Sequence, residues 1–439
     1  GLTFGVRDIE VVVNPEVTRV ELRLDGEAQA VLDGPPWRTT LDFGAELTPH
    51  TLDAIAFDAA GRRIGTAQQW INLPRQQAEA RLALLADEAG RPNALRLSWE
   101  SLSGRPPERI EVAFDGEPLV VRDTDRVELP AHDPETIHFV TVEITFPDGI
   151  RARAEATFGG VYGTEVYTEL TAVPVMLDRG IRLPKTIDGM ADWLTVDGRP
   201  VRVVAAEEGP ADVVVVRDRG LEPLLAELRA EGAREPAIDR RRPRSRIRPN
   251  RLQFAHQLGR DDNVLFLWPT MARLAHPRYN EVGVFDRSPT LDADDGGLYW
   301  FLTRLYPPGG TARGVQFIAD AVAVAGRRAA AANHRRAVLL FLGRDPDDAS
   351  QRQAAQVRSY LASLRVPLVV WGSRRLAGDH PAAAWGEIER VTSISQLGDA
   401  VDDLRRSLAR QRILWVEGRH LPQVIELAEP APRGVSLLR

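Results

Sequence analysis

Val213-Val214-Val215-Val216 is an unbroken β-branched run, and Leu221 to Ala230 follows it with apolar residues at helical spacing. A strand that is apolar on both faces must be covered on both faces, as in a parallel sheet flanked by helices. The alternation continues toward the C-terminus. Val264 to Trp268, Ala337 to Leu342 and Pro367 to Trp371 read as strands, and Gly314 to Ala332 and Gln351 to Leu364 as helices. Ser395 to Arg410, with Leu397, Val401, Leu404 and Leu408 on one face, reads as a final packing helix. This grammar predicts an α/β doubly wound domain over residues 211–417, with 418–439 as a C-terminal tail.

Upstream of residue 211 the pattern is different. In residues 1–74 the β-rich runs Ile9 to Val13, Arg19 to Leu24, Arg38 to Asp42 and Thr51 to Phe57 are separated by Asn14-Pro15, Asp25-Gly26 and Gly34-Pro35-Pro36. Residues 75–160 repeat it. Arg19-Val20-Glu21-Leu22 with Asp25-Gly26-Glu27 recurs as Arg109-Ile110-Glu111-Val112 with Asp115-Gly116-Glu117, at an offset of 90 residues. His50 and His138 each open a strand, and Phe57-Asp58 to Gly61 recurs as Phe146-Pro147-Asp148-Gly149. Two copies of one immunoglobulin-like β-sandwich explain the repetition. Each Asp-Gly pair supplies the positive φ of a tight hairpin, and Asp197-Gly198 predicts a third hairpin in a β-rich connector over 161–210. The terminal segment Leu2 to Val6 reads as a strand, free to pair within its own sandwich or with another subunit.

Composition narrows the functions available. A chain of 439 residues is too long for one core and suggests about three units. With no cysteine, disulfides, thiol nucleophiles and Cys-ligated metals are excluded. The net charge of -6 gives no field favouring nucleic acid or an anionic membrane, and no apolar window reaches the length of a membrane span. Lys185 is the sole lysine among 56 basic residues, a coding bias rather than a sign of activity. Gly1 in place of methionine is compatible with a processed mature form or a removed tag.

Thr168-Glu169-Leu170-Thr171-Ala172-Val173-Pro174-Val175 and the Trp193 to Gly198 hairpin precede the α/β stretch, and Gly309-Gly310-Thr311 stands before a helix within it. Arg335-Arg336-Ala337-Val338-Leu339-Leu340, Ser350 and Val366-Pro367-Leu368 follow in order. On these words the C-terminal half resembles a von Willebrand factor A domain, and the whole chain looks like the VWFA-related proteins of the Acidobacteria type. Such domains hold Mg2+ or Mn2+ at the carboxyl ends of the strands. Their ligands come from an Asp-x-Ser-x-Ser loop, a later threonine and an aspartate after the fourth strand. Here the first loop is Asp218-Arg219-Gly220-Leu221-Glu222, so both serines are replaced, and the fourth strand runs into Gly343-Arg344-Asp345. The resemblance therefore implies a degenerate metal-ion-dependent adhesion site, with Asp218, Glu222, Thr311 and Asp345 as its surviving or vestigial ligands.

Other signals point less far. Arg234 to Arg251 holds eight arginines and three prolines without interleaved aromatics, which predicts an exposed loop and no stacking platform for nucleic acid. Asp292-Ala293-Asp294-Asp295-Gly296 resembles half a calcium loop, but its twelfth position is Thr303 instead of a bidentate glutamate. Asp345-Pro346-Asp347-Asp348 reads as a cap for a helix starting near Ser350. The histidines lack zinc spacing, and His132, Asp133 and His138 lack a nucleophilic serine to complete a triad. Trp300 and Trp415 sit in apolar runs that suit a core or a partner-facing patch. The expectation is a non-catalytic, secreted or periplasmic scaffolding subunit whose partners are other proteins, with β-modules as spacers. A metal-dependent adhesion module and an unrecognised enzyme are the alternatives.

Overall fold

The computed structural model describes residues 2–74, 78–87, 90–101, 104–147, 150–163, 168–234, 253–276, 280–307, 315–373, 381–429 and 431–439. The chain is multidomain and rich in sheet. In the first module, Glu27–Leu32, Arg19–Leu24, His50–Phe57 and Arg63–Ile71 form an antiparallel sheet in that spatial order. Val6–Glu10 pairs with Arg38–Asp42, whereas Leu2 to Gly5, expected to begin the terminal strand, precede it without strand structure. Val20, Leu22, Leu41, Phe43, Leu52 and Ile71 make the core between these sheets.

The second module repeats the first. Glu117–Leu119, Arg109–Phe114, His138–Thr145 and Arg151–Phe158 form its four-stranded sheet, and Val127–Glu128, Pro92–Ser101 and Ala78–Ala86 face it. The repeated Asp and His are one device. Asp25 at φ 51 turns the first hairpin, and its carboxylate accepts from Thr51 N at 2.8 Å and meets His50 Nδ1 at 2.7 Å. Asp115 at φ 50 accepts from Phe139 N at 2.8 Å and meets His138 Nδ1 at 2.8 Å. Each histidine's second nitrogen meets a threonine hydroxyl, Thr48 or Thr136. The turn of one strand pair is thereby pinned to the strand beside it, a structural role that the matching sequence positions anticipated.

The α/β domain has six strands: β1 (Ala211–Arg217), β2 (Asn263–His276), β3 (Asn280–Arg287), β4 (Arg335–Leu342), β5 (Leu368–Gly372) and β6 (Glu389–Arg390). Their spatial order is β3-β2-β1-β4-β5-β6, parallel throughout except for the edge strand β3. Successive side chains of a strand point to opposite faces. Val213 and Val215 of β1, Phe266 of β2 and Leu339 and Phe341 of β4 meet helices α1 (Glu222–Arg234), α2 (Leu298–Arg304) and α5 (Ile394–Ala409). Val214, Val216, Leu265, Leu267, Val338, Leu340 and Leu342 meet α3 (Ile318–Ala329) and α4 (Ala354–Ser363). The alanines of α3 keep it thin enough to lie between sheet and α4, and a Cβ on Gly326 would come within 2.7 Å of Leu361.

Two expected boundaries are corrected. The connector 161–210 and the tail 418–439 do not stand apart, and the 211–417 span does not end as one domain. Gln411–Glu417, placed at the end of the α/β domain, instead sits between Val203–Glu207 and Leu170–Leu177, with Val435–Leu437 on the far side of Leu170–Leu177. The Leu194–Val196 and Arg199–Val201 hairpin turns at Asp197-Gly198 as expected, and Ile425–Leu427 joins it. Val173, Val175, Met190, Trp193, Leu194, Leu414, Val416, Ile425 and Val435 form one core. A third β-unit is thus made from two distant stretches, with the α/β domain inserted between them. Trp415 is fully buried in it, and Trp300 packs against the α/β core.

Both β-modules dock on the α/β domain. Leu47 of the first module belongs to the core beneath α3 and α4, and Tyr360 of α4 donates to the Asn72 carbonyl at 2.6 Å. The Asn72 side chain in turn ties Thr3 and Thr48 together.

Candidate functional site

In an open α/β sheet, ligands bind beyond the carboxyl ends of the strands where the strand order reverses. Here that place lies between β1 and β4, and Asp218 follows β1 directly. Its side chain is fully buried. Oδ1 accepts from Gly220 N at 2.9 Å and from Gln316 Nε2 at 3.0 Å, while Oδ2 accepts from Gly343 N at 2.8 Å. Gln316 Oε1 accepts from Arg219 N at 2.8 Å, which fixes the side-chain amide's orientation. The loops after β1 and β4 touch, since a Cβ on Gly343 would fall 2.4 Å from the Gly220 carbonyl carbon. A carboxylate so enclosed by N–H donors is satisfied by neutral dipoles.

Glu222 and Asp345, two of the other anticipated ligands, do not gather with Asp218 as a cation site. Glu222 starts α1 and pairs with guanidinium groups, 3.3 Å from Arg229 and 3.7 Å from Arg217. Arg217 is buried, donates to the Leu302 carbonyl at 2.6 Å, and has its pKa lowered by burial. Asp345 is exposed, and so is Arg344. Thr311 lies outside the described residues, as do Gly309, Gly310 and nearly all of the Arg234 to Arg251 segment. Among the described residues, no three His, Asp or Glu side chains gather as cation ligands. Asp218 is thus held by amides and Glu222 by arginines, while Asp345 is exposed. Gln316, 98 residues from Asp218, was missed. A lone glutamine just ahead of a helix has no pattern that would mark it.

The acidic loops resolve into local roles. Asp348 caps α3, accepting from Ile318 N at 2.8 Å and Ala319 N at 3.1 Å, and so does not cap α4, which starts later with Gln353 as its cap. Asp292 bonds the backbone of Asp294 and Asp295, and Thr303 donates to the Tyr299 carbonyl inside α2.

A second polar cluster lies at the opposite, amino end of the parallel strands. His334, just before β4, has Nδ1 3.0 Å from Asp212 at the start of β1 and Nε2 3.0 Å from Glu143 of the second module. Arg151 of that module reaches Asn263 at 2.9 Å, Glu143 at 3.4 Å and Asp212 at 3.5 Å. Burial opposes the imidazolium, but the two carboxylates outweigh it and hold the His334 pKa at about 9. Burial likewise works against the Asp212 carboxylate, yet the His334 charge keeps its pKa at about 2. Arg153 bridges Glu155 at 2.8 Å and Glu207 of the third β-unit at 2.6 Å, with its guanidinium over Trp415. A cavity of ≈ 70 Å³ opens here, lined by Arg151, Arg153, Asp212, Asn263, Thr290 and Arg328 among others. The sequence signal for this cluster was charge at the edges of apolar runs: Asp212 before Val213, and His334-Arg335-Arg336 before Ala337.

Among the described residues, no helix is long and apolar enough to cross a membrane. No protein-family model matches the chain, and no curated protein matches it. Among solved structures it is similar to fibronectin(III)-like modules of Clostridium thermocellum CbhA, 17% identical over 35% of this chain and 85% of that one, with a TM-score of 0.15. It is also similar to the central fibronectin-III array of RIM-binding protein, 12% identical over 40% of this chain and 71% of that one, with a TM-score of 0.19. A third is the SGBP-B protein of the Bacteroides ovatus mixed-linkage glucan utilization locus, solved with a mixed-linkage heptasaccharide. That pair is 13% identical over 45% of this chain and 51% of the other, with a TM-score of 0.13.

Proposed function

We propose that the chain is a non-catalytic interaction subunit whose α/β domain is von Willebrand factor A-like and docks other proteins without a cation. The observation that carries this reading is the Asp218 carboxylate, surrounded by Gly220 N, Gln316 Nε2 and Gly343 N at the strand-order reversal. An adhesion site of the cation-dependent kind needs that carboxylate turned toward a metal with hydroxyl co-ligands. Here the Gln316 amide occupies one of its lone-pair directions, and the serines that would assist are Gly220 and Glu222. The doubly wound strand order supports the A-like assignment, and the docked β-modules support a rigid scaffold. Among the described residues, no acid, base and nucleophile converge at the carboxyl ends of the strands, which favours binding over turnover.

The test is titration calorimetry of the intact chain with Mg2+ and with Mn2+, beside Asp218→Asn. The expected result is no saturable heat at micromolar to millimolar cation. Micromolar binding that disappears in Asp218→Asn would overturn the reading in favour of the cation-dependent adhesion module.

A further inference from the structure

The two docked modules are held in unlike ways. The first joins the α/β domain through apolar packing, with Leu47 inside a shared core and Tyr360 reaching Asn72. The second joins it through charge. Glu143 and Arg151 belong to neighbouring strands of the module, whereas Asp212, Asn263 and His334 line the amino edge of the parallel sheet. His334 is the centre, with its ring between a carboxylate from each body and its carbonyl accepting from Arg336 Nε at 2.9 Å. We propose that His334, Asp212, Glu143 and Arg151 form an ionic latch that holds the second β-module and the α/β domain as one rigid body. Removing charge from the latch releases the joint with both bodies still folded.

Three observations support a latch over ordinary core packing. The boundary is polar and contains the cavity described above, which has room for a few waters, so opening exposes groups that water can solvate. Each body keeps its own apolar core, one around Val112, Val140 and Ile144, the other around the parallel strands. Beside the charged cluster, Phe139 packs on Trp415 of the third β-unit with ring centroids 5.5 Å apart, an apolar contact that stays as a pivot when the charged groups let go. Removing one partner of a buried ion pair strands the other in a poorly solvating place, so the joint is sensitive to single changes.

The pH dependence follows from every group facing His334. Asp212 and Glu143 hold its proton, Glu155 is pushed up by burial and adds less negative charge, and Arg151, Arg153 and Arg336 add positive charge nearby. Arg328 acts on Asp212 from α3. Because the His334 pKa stands above its ordinary 6.5, its contribution is complete below that pH and is lost as pH rises through about 9. Because the Asp212 pKa stands below its ordinary 3.8, its contribution is complete above that pH and is lost as pH falls through about 2.

The chain has no cysteine, so Glu117→Cys in the second module and Ser395→Cys on α5 can carry a spin-label pair on exposed positions without background. At pH 6 the full chain should give one narrow interlabel distance. Glu143→Gln at pH 6, and the parent at pH 9.5, should each raise a second, displaced population at least tenfold while near-ultraviolet circular dichroism keeps its folded signal. An unchanged single distance in both overturns the latch. So does a displaced population that appears only as the folded signal is lost. If Glu143→Gln does not fold, the alkaline titration of the parent decides alone.

Discussion

At the residue scale, three aspartates do the same kind of work, Asp25 and Asp115 in matching turns and Asp218 at the end of β1, and each can be tested by deletion. Asp115 accepts from Phe139 N and His138, so Asp115→Ala leaves a strand amide and a buried ring nitrogen without partners. Thermal unfolding should show a loss of about 1–2 kcal/mol, and Asp25→Ala should lose a similar amount in the first module. Asp218→Ala uncovers three donors in a fully buried place, and the expected cost is roughly 3 kcal/mol by denaturant unfolding, the same with and without Mg2+. The first role was legible in the sequence, because a repeat shows two histidines in register with two Asp-Gly turns. The second was legible only in part. Asp218 was visible as the residue closing a β-branched run, but its chief partner, Gln316, comes from the far side of the sheet and belongs to no spacing rule.

At the scale of elements, continuous apolar runs located four of the five parallel strands because burial on both faces leaves no room for polar positions, and missed the short, polar Glu389–Arg390 at the edge. The helices α3, α4 and α5 were found for the complementary reason, a one-sided apolar stripe or a run of alanines. Caps were less readable: Asp348 lies just upstream of α4 yet serves α3, because the chain folds that acidic turn back over the earlier helix. Asp348→Ala should therefore weaken α3, at about 1 kcal/mol, with raised hydrogen exchange at Ile318 and Ala319 and little change in α4. The contact of the β1 and β4 loops allows no side chain at residue 343. Gly343→Ala should cost roughly 2–3 kcal/mol in denaturant unfolding, since backbone must move to admit the methyl.

At the scale of the whole molecule, the third β-unit was hidden because its halves are separated by the entire α/β domain, and long-range strand pairing leaves no local trace. Its existence makes the C-terminal stretch structural. Removing residues 418–439 takes away Ile425–Leu427 and Val435–Leu437 and should leave an aggregation-prone chain rather than a trimmed one, as size-exclusion chromatography would show. The insertion also decides how the chain bears tension. Pulling on its two ends carries load through Leu170–Leu177 into Val435–Leu437, which pair directly and antiparallel, Val175 with Leu437 and Leu177 with Val435. Both strands are then drawn from the same end, so their bonds open one at a time like a zipper, and the short terminal strand peels first. The α/β domain enters and leaves through neighbouring strands, Val203–Glu207 and Gln411–Glu417, and lies off the direct line of force. In an optical trap the terminal strand should yield as a low-force fuse while the inserted domain stays intact.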